Sequence, residues 1–334
     1  MHGEGIALQI LGTGEYVPRH RVESTELDRR WHKAEGWTAN HTGVWSRAYA
    51  SDDENIIAMG ASAARQALAA AEVEAAQIDA IIAVGSVPYQ AIPCTAAFIQ
   101  RELGLGRSGI AAFDVNSTCL GFLVALDLIS HAIATGRYRR VLIVASERAS
   151  QGLNLDDSST AGLFGDGAGA VLIGVPRRPG PQLRAAYLQS YGEGVECCQI
   201  RAGGSRLPPR TSMSEFMSGT HFEMRGRQIY KLAAELLPGF LQSLWQRAAT
   251  RVEEIDVWVP HQASGRAIAH LQCALDLPPE RFVLTLPTHG NQVSASIPVA
   301  LHRGITEQRI RPGDTIAVIG TGAGISIGGA VLDF

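Results

Sequence analysis

Three residues of this chain have types and surroundings suited to acyl chemistry: Cys119, His261 and Asn291. Cys119 lies in AAFDVNSTCLGFLVALDLISHAIATG, where an apolar strand ends at Val115 and a short polar turn follows. The thiol then opens a helix whose Phe122, Leu126, Ile129 and Ile133 fall on one face. A thiol at a helix N-terminus feels the positive end of the macrodipole, which favours the thiolate and its nucleophilicity. The strand–turn–helix setting resembles the nucleophile elbow of other α/β enzymes. Buried structural cysteines are common, and that is the competing reading of Cys119 taken alone.

His261 follows the apolar run IDVWVP, at the point where it breaks into HQASGRAIAH. A polar residue at the C-terminal edge of a central strand points into the cleft of an α/β fold. Taken alone, such a histidine reads more readily as a structural hydrogen-bonder. Asn291 sits in THGNQVSASIPVAL beside Gly290, which permits an unusual turn, and near a helix start where asparagine also serves as a cap. An imidazole Nε2–H and an amide are neutral donors of the kind that stabilise a developing thioester enolate. GTGAGISIGG at 320–329 offers backbone N–H groups for an oxyanion hole. No Gly-Lys-Ser/Thr follows, so it is not a phosphate loop.

These residues must be positioned by the elements around them, and the chain alternates apolar strand-like runs with Ala-rich helical segments. Strands are expected over 7–11, 79–84, 110–115, 140–145 and 167–175, and helices over 55–71 and 121–135. The continuous apolar runs DAIIAV and RVLIVA predict strands buried on both faces, and the alternation predicts a layered α/β fold. The second half repeats the outline: IDVWVP echoes IDAIIAV, GDTIAVIG stands in the place of RYRRVLIVAS, and each half ends in a Gly/Ala-rich strand. Two such halves, 1–178 and 179–334, meet at the Pro/Gly-rich RRPGP and enclose a cleft where ligands commonly sit. The stretch 187–222 shows no periodicity and reads as an insertion loop.

The composition excludes several classes. Of 334 residues 46% are hydrophobic and 18% charged, the balance of a globular protein with a sizeable core. A formal charge of −3 supplies no basic field for nucleic acid. Five cysteines with no CxxC pair favour neither a disulfide framework nor a zinc site, and no metal is expected. No run approaches the ~20 apolar residues that span a bilayer, and the start does not resemble a signal peptide, so a cytoplasmic protein is expected.

The motifs together resemble the β-ketoacyl-acyl-carrier-protein synthase III family of the thiolase superfamily. ILGTGEYVP, AFDVNSTCLGF, FGDGAGAVL, VPHQAS, HGNQVSASIP and the terminal Gly-rich strand occur in the family's order. The resemblance implies a thiolase-like five-layered αβαβα fold from two duplicated halves, a homodimer, and a Cys–His–Asn triad on Cys119, His261 and Asn291. It implies an oxyanion hole from the backbone N–H groups of Cys119 and Gly324. It also implies decarboxylative Claisen condensation of acyl thioesters of coenzyme A or acyl carrier protein, with no permanently bound cofactor. Thiolases carry a second catalytic cysteine in the C-terminal Gly-rich segment, and GTGAGISIGG has none. Ile92 occupies the segment that in the family crosses the dimer and lines the partner's acyl tunnel.

The match departs from the family at the coenzyme A site. Trp37 of the adenine clamp is kept, but His41 and Ser158 stand where the family has arginines. Ser264 and Arg227 stand where it has asparagines. The basic stretch Arg201, Arg206, Arg210, Arg225, Arg227 and Lys231 faces only Glu215 and Glu223 in sequence, which suggests a docking face for an acidic carrier protein. Lys231 and Arg266 match family positions on that face. The alternatives are acyl transfer from Cys119 to an alcohol or amine, and a non-catalytic partner of a condensing heterodimer.

Overall fold

The computed structural model describes residues 5–334; residues 1–4 of the expected first half lie outside the described residues. The apolar runs form ten strands in two five-stranded sheets. In chain order they are β1 (Ile6–Ala7), β2 (Gln9–Tyr16), β3 (Ala80–Val84), β4 (Ala111–Val115), β5 (Arg140–Glu147), β6 (Gly167–Gly174), β7 (Gln182–Ser190), β8 (Val257–Pro260), β9 (Thr315–Gly322) and β10 (Ser326–Asp333). The first sheet runs β2-β6-β5-β3-β4 and the second β1-β7-β10-β9-β8. β5 pairs parallel with β3 and antiparallel with β6; β9 pairs parallel with β8 and antiparallel with β10. The same hydrogen-bonding order thus occurs twice, as the echoed sequence runs indicate. A lone parallel bridge between Trp258 and Phe282 stands where β4 borders β3 in the other sheet.

Six helices matter for the layers: α1 (Ile56–Ala70), α2 (Thr95–Glu102), α3 (Gly121–Ala134), α4 (Gly226–Ala248), α5 (Gly265–Leu275) and α6 (Ser296–Thr306). α1 and α2 pack on the outer face of the first sheet, α3 and α6 lie between the sheets, and α4 covers the second. This is the five-layered αβαβα arrangement. Adjacent residues of the same strand serve different layers. Ile81 and Leu142 join Met59 in the outer core, while Ile82 and Ile143 join Phe122, Val259 and Val318 in the central one. Each such burial stabilises by roughly 1.5–3 kcal/mol, which is why uninterrupted apolar runs settle in doubly covered sheets.

The segment 187–222 corrects the expected insertion loop. Tyr187–Ser190 complete β7, Cys198–Gln199 pair antiparallel with Glu223–Met224, and Met213–Gly219 form a short helix. β7 shows no inside–outside alternation because almost all its residues are half-buried. Pattern reading has no signal to detect in such a strand.

Candidate active site

The first sheet delivers Cys119 through a strained turn. After β4, Asn116 Oδ1 accepts the Thr118 N–H at 3.0 Å, and Thr118 takes φ +47°. A β-branched residue in the left-handed region costs of order 1–3 kcal/mol, and such strain clusters at functional sites. Cys119 sits in the single 3-10 turn Thr118–Leu120, one step before α3, so the thiol precedes the α-helix rather than opening it. Its side chain keeps some surface on a cavity, yet protein surrounds it almost completely. Burial pushes the thiol up to about 12, reinforced by Cys198 and Glu147, while the amides of Cys119 and Ala323 act in the opposite direction. Desolvation thus opposes, and outweighs, the pull of the helix end towards the thiolate.

The second sheet delivers His261. Its N–H donates to Ile319 O at 2.7 Å, continuing the β8–β9 ladder one residue beyond the strand. Gly320 on β9 makes room for it: a Cβ there would stand 2.7 Å from His261 Cβ and 3.1 Å from Leu120 Cδ2. That close approach brings the Cys119 turn and the histidine against the same point of β9. Burial lowers the imidazole to about 4, so it is neutral at ordinary pH. Nδ1 is buried with no partner.

Asn291 is fixed from both sides. Its N–H donates to Leu163 O at 2.9 Å and its carbonyl accepts from Gly165 N at 3.1 Å. Gly290, at φ +68°, lets the turn press against Leu163 O, which a Cβ would approach to 2.9 Å. The Asn291 amide donates through Nδ2 to Ala263 O at 3.2 Å, and Oδ1 accepts the Val293 N–H at 2.9 Å. One amide N–H stays uncommitted, and Ala263 ties the asparagine to the loop that carries His261. Val293 itself has φ +51°.

A cavity of about 1170 Å³ opens on Cys119, His261, Asn291, Gly324 and Ser264. Much of its wall is apolar, including Leu153, Phe164, Ile200, Phe216, Phe222 and Met224. The Ser264 hydroxyl is engaged as the cap of α5, accepting from Ala267 N at 3.2 Å. Trp37, Ile92, Arg227, Lys231 and Arg266 do not line this cavity. Ile92 is 82% exposed on the loop between β3 and α2, and Arg227, Lys231 and Arg266 are exposed. Trp37 carries His41 stacked at 4.1 Å, with Lys33 Nζ 5.0 Å from the ring centre. Arg201 and Arg206 are engaged by Glu223 and Glu196, at 2.8 and 3.6 Å. Among the described residues Arg210, Arg225, Arg227, Lys231 and Arg266 pair with no carboxylate.

Sequence reasoning missed Glu147, Ala323 and Cys198, all on the cavity wall. Glu147 ends a buried apolar strand, a position from which a carboxylate signals something, but its partners are distant in sequence. Among the described residues no His, Cys, Asp or Glu cluster is arranged to hold a metal, and no helix is long and apolar enough to cross a membrane.

Two sheets of matching order within one five-layered αβαβα arrangement, with a cavity where Cys119, His261 and Asn291 meet, place the chain in the thiolase-fold class. Comparison with known proteins narrows it. Residues 113–192 match the model of the family "3-Oxoacyl-[acyl-carrier-protein (ACP)] synthase III", and 245–334 match its C-terminal model. A β-ketoacyl-[acyl-carrier-protein] synthase III of Methylococcus capsulatus is 35% identical, over 98% of both chains. The crystal structure of 3-oxoacyl-[acyl-carrier-protein] synthase III from Aquifex aeolicus is 30% identical, with TM-score 0.88 over 98% of this chain and all of that one. The priming β-ketosynthase of the R1128 polyketide pathway has the same identity and TM-score, over 99% and 97% of the two chains. The chain belongs to the 3-oxoacyl-[acyl-carrier-protein] synthase III family: it is a condensing acyl-thioester ketosynthase of fatty-acid or polyketide synthesis.

Proposed function

We propose that Cys119 carries the acyl primer and that His261 with Asn291 activates the extender in a decarboxylative condensation. Cys119 Sγ attacks the donor thioester carbonyl. The C–S bond to the donor breaks, and the donor thiol leaves with the proton that Cys119 gives up. The extender, a malonyl thioester, then places its carbonyl oxygen between His261 Nε2–H and the free Asn291 N–H. As carbon dioxide leaves, negative charge develops on that oxygen and both neutral donors strengthen. The resulting enolate carbon attacks the acyl carbonyl on Cys119. The amides of Cys119 and Gly324 hold the tetrahedral oxyanion until the Cys119 thiolate is expelled and reprotonated.

The observation that carries this reading is the convergence of Cys119, His261 and Asn291 on one cavity, with the Asn291 amide tied to the loop of His261. Burial, which lowers the His261 imidazole to about 4, suits it to donate to an enolate oxygen rather than to act as a resting base. Replacing His261 or Asn291 by Ala is expected to lower carbon dioxide release from a malonyl thioester by ~10²–10³ while acylation of Cys119 survives. Unimpaired release in both variants would instead favour acyl transfer to an alcohol or amine.

For partners, we place acyl carrier protein on the exposed Arg225, Arg227, Lys231 and Arg266, and both carrier and coenzyme A thioesters among the substrates. The His41 stack on Trp37 occupies indole surface that an adenine would need, which favours the carrier in at least one half-reaction. A homodimer is supported by the outer edge of β4, which offers unpaired backbone and a 38% exposed Phe113, and by the exposed Val87, Tyr89 and Ile92 of the loop after β3. Across that edge Ile92 reaches the partner's acyl tunnel. The two halves divide at 178/179.

A further inference from the structure

Glu147 is a carboxylate in the wall of the catalytic cavity that the proposed chemistry does not use. It is 3% exposed and pairs with no cation among the described residues. Four donors hold it instead. Oε1 accepts Ser294 Oγ–H at 2.6 Å, Ser86 N–H at 2.8 Å and, more weakly, Ser294 N–H at 3.4 Å; Oε2 accepts Ser86 Oγ–H at 2.8 Å. A buried carboxyl group is costly unless hydrogen-bonded, and removing its donors or acceptors leaves partners stranded. Held in this way, Glu147 ties the segments of Ser86 and Ser294 to the end of β5.

What it fixes is visible in the chain that it grips. Ser294 is fully buried and lies three residues after Asn291, in the single turn Val293–Ala295 that leads into α6. Between them stands Val293 in the left-handed region, a conformation that persists only when its surroundings over-determine it. Asn291 Oδ1 holds the N–H of Val293 on one side, and Glu147 holds Ser294 on the other. Relaxation of Val293 would swing the Asn291 side chain away from the free-amide orientation described above. The second arm of Glu147 grips Ser86, at the root of the loop that carries Ile92.

We propose that Glu147 is a positioning residue: acting through Ser294, it locks the strained Val293 turn and thereby aims the Asn291 amide at the extender carbonyl. The proposal rests on the decarboxylative role given to Asn291. A misplacement of about 1 Å at a catalytic donor can cost ~10² in rate. Ser294→Ala and Glu147→Ala are therefore expected to lower carbon dioxide release from a malonyl thioester 10–10²-fold, with acylation of Cys119 close to that of the native enzyme. In Glu147→Gln the side-chain carbonyl can keep the Oε1 contacts while its NH₂ donates to Ser86 Oγ, so most of the lost rate should return.

Acylation and carbon dioxide release are measured on folded dimeric protein of each variant, with Asn291→Ala alongside. If Glu147→Ala does not fold, Ser294→Ala, which removes only one hydroxyl, decides alone. Native-like release in Ser294→Ala beside slow release in Asn291→Ala overturns the positioning role and leaves the function intact. Equal losses in both half-reactions, or a Gln variant as slow as Ala, also overturn it. Native-like release in Asn291→Ala overturns the decarboxylative role given to Asn291, and the positioning role falls with it.

Discussion

Gly320→Ala is the substitution that probes the juxtaposition of His261 and Cys119 most finely. The added methyl would stand 2.7 Å from His261 Cβ, about 0.7 Å inside the 3.4 Å onset of ordinary contact, and 3.1 Å from Leu120 Cδ2. His261 has little freedom to yield. Its N–H is bonded to Ile319 O at 2.7 Å, its carbonyl accepts Ala263 N–H at 2.8 Å, and the residue is 5% exposed. The missing distance must therefore be shared between β9 and the His261 turn, and even a part of it displaces the imidazole. Since ~1 Å at a catalytic group can cost 10²-fold, a 10–10²-fold loss of malonyl decarboxylation is expected. Acylation should fall less, because the Leu120 contact is the looser of the two. Overpacking of this kind also destabilises by about 1–3 kcal/mol, readable as a lower urea midpoint. Stopped-flow release of carbon dioxide and a single-turnover acylation measurement separate the effects. A folded Gly320→Ala enzyme that decarboxylates at the native rate would refute the account of how β9 seats His261.

Three further predictions follow from burial, the dimer arm and the charge pattern. His261 and His289 are both lowered to about 4 by burial, below the unfolded value of 6.5. Between those limits the unfolded chain binds protons that the folded one refuses, so their stabilisation is complete above 6.5 and is lost as pH falls. The stability difference between the native protein and His289→Asn should thus shrink by about 2 kcal/mol from pH 7 to 5, and an unchanged difference would contradict the buried-neutral assignment. Carbon dioxide release should stay flat over the same range. Ile92→Phe should shift acyl preference towards shorter primers, since each methylene of apolar contact is worth ~0.8 kcal/mol; a flat chain-length profile would place the tunnel elsewhere. At matched acyl groups, kcat/KM should favour carrier over coenzyme A at low salt and lose that margin near 1 M, where the screening length is ~3 Å. Equal efficiency at low salt would dismiss the docking face.

How much was legible in the sequence depended on the kind of signal. Uninterrupted apolar runs such as RVLIVA marked the doubly covered strands, and their echo in the second half revealed the repeat. β7 escaped notice because half-buried residues carry no alternation. Cys119, His261 and Asn291 each sit where a strand or turn changes character, so local context singled them out, and the family motifs tied them together. The environment of the thiol was only half legible, because a helix end is a local feature while desolvation depends on the whole enclosure. Glu147 was invisible for a related reason. Its meaning lies in Ser86 and Ser294, 61 and 147 residues away along the chain, and no spacing rule connects them.

The central claim is that Cys119, and no other thiol of the cavity, takes the acyl group. Cys198 shares the cavity wall and makes the question a real one. Peptide-mapping mass spectrometry after incubation with acyl-carrier and acyl-coenzyme A donors tests it directly. One acyl mass increment is expected on the peptide containing Cys119, and none anywhere on Cys119→Ala. An adduct on Cys198, or one that persists in Cys119→Ala, would contradict it.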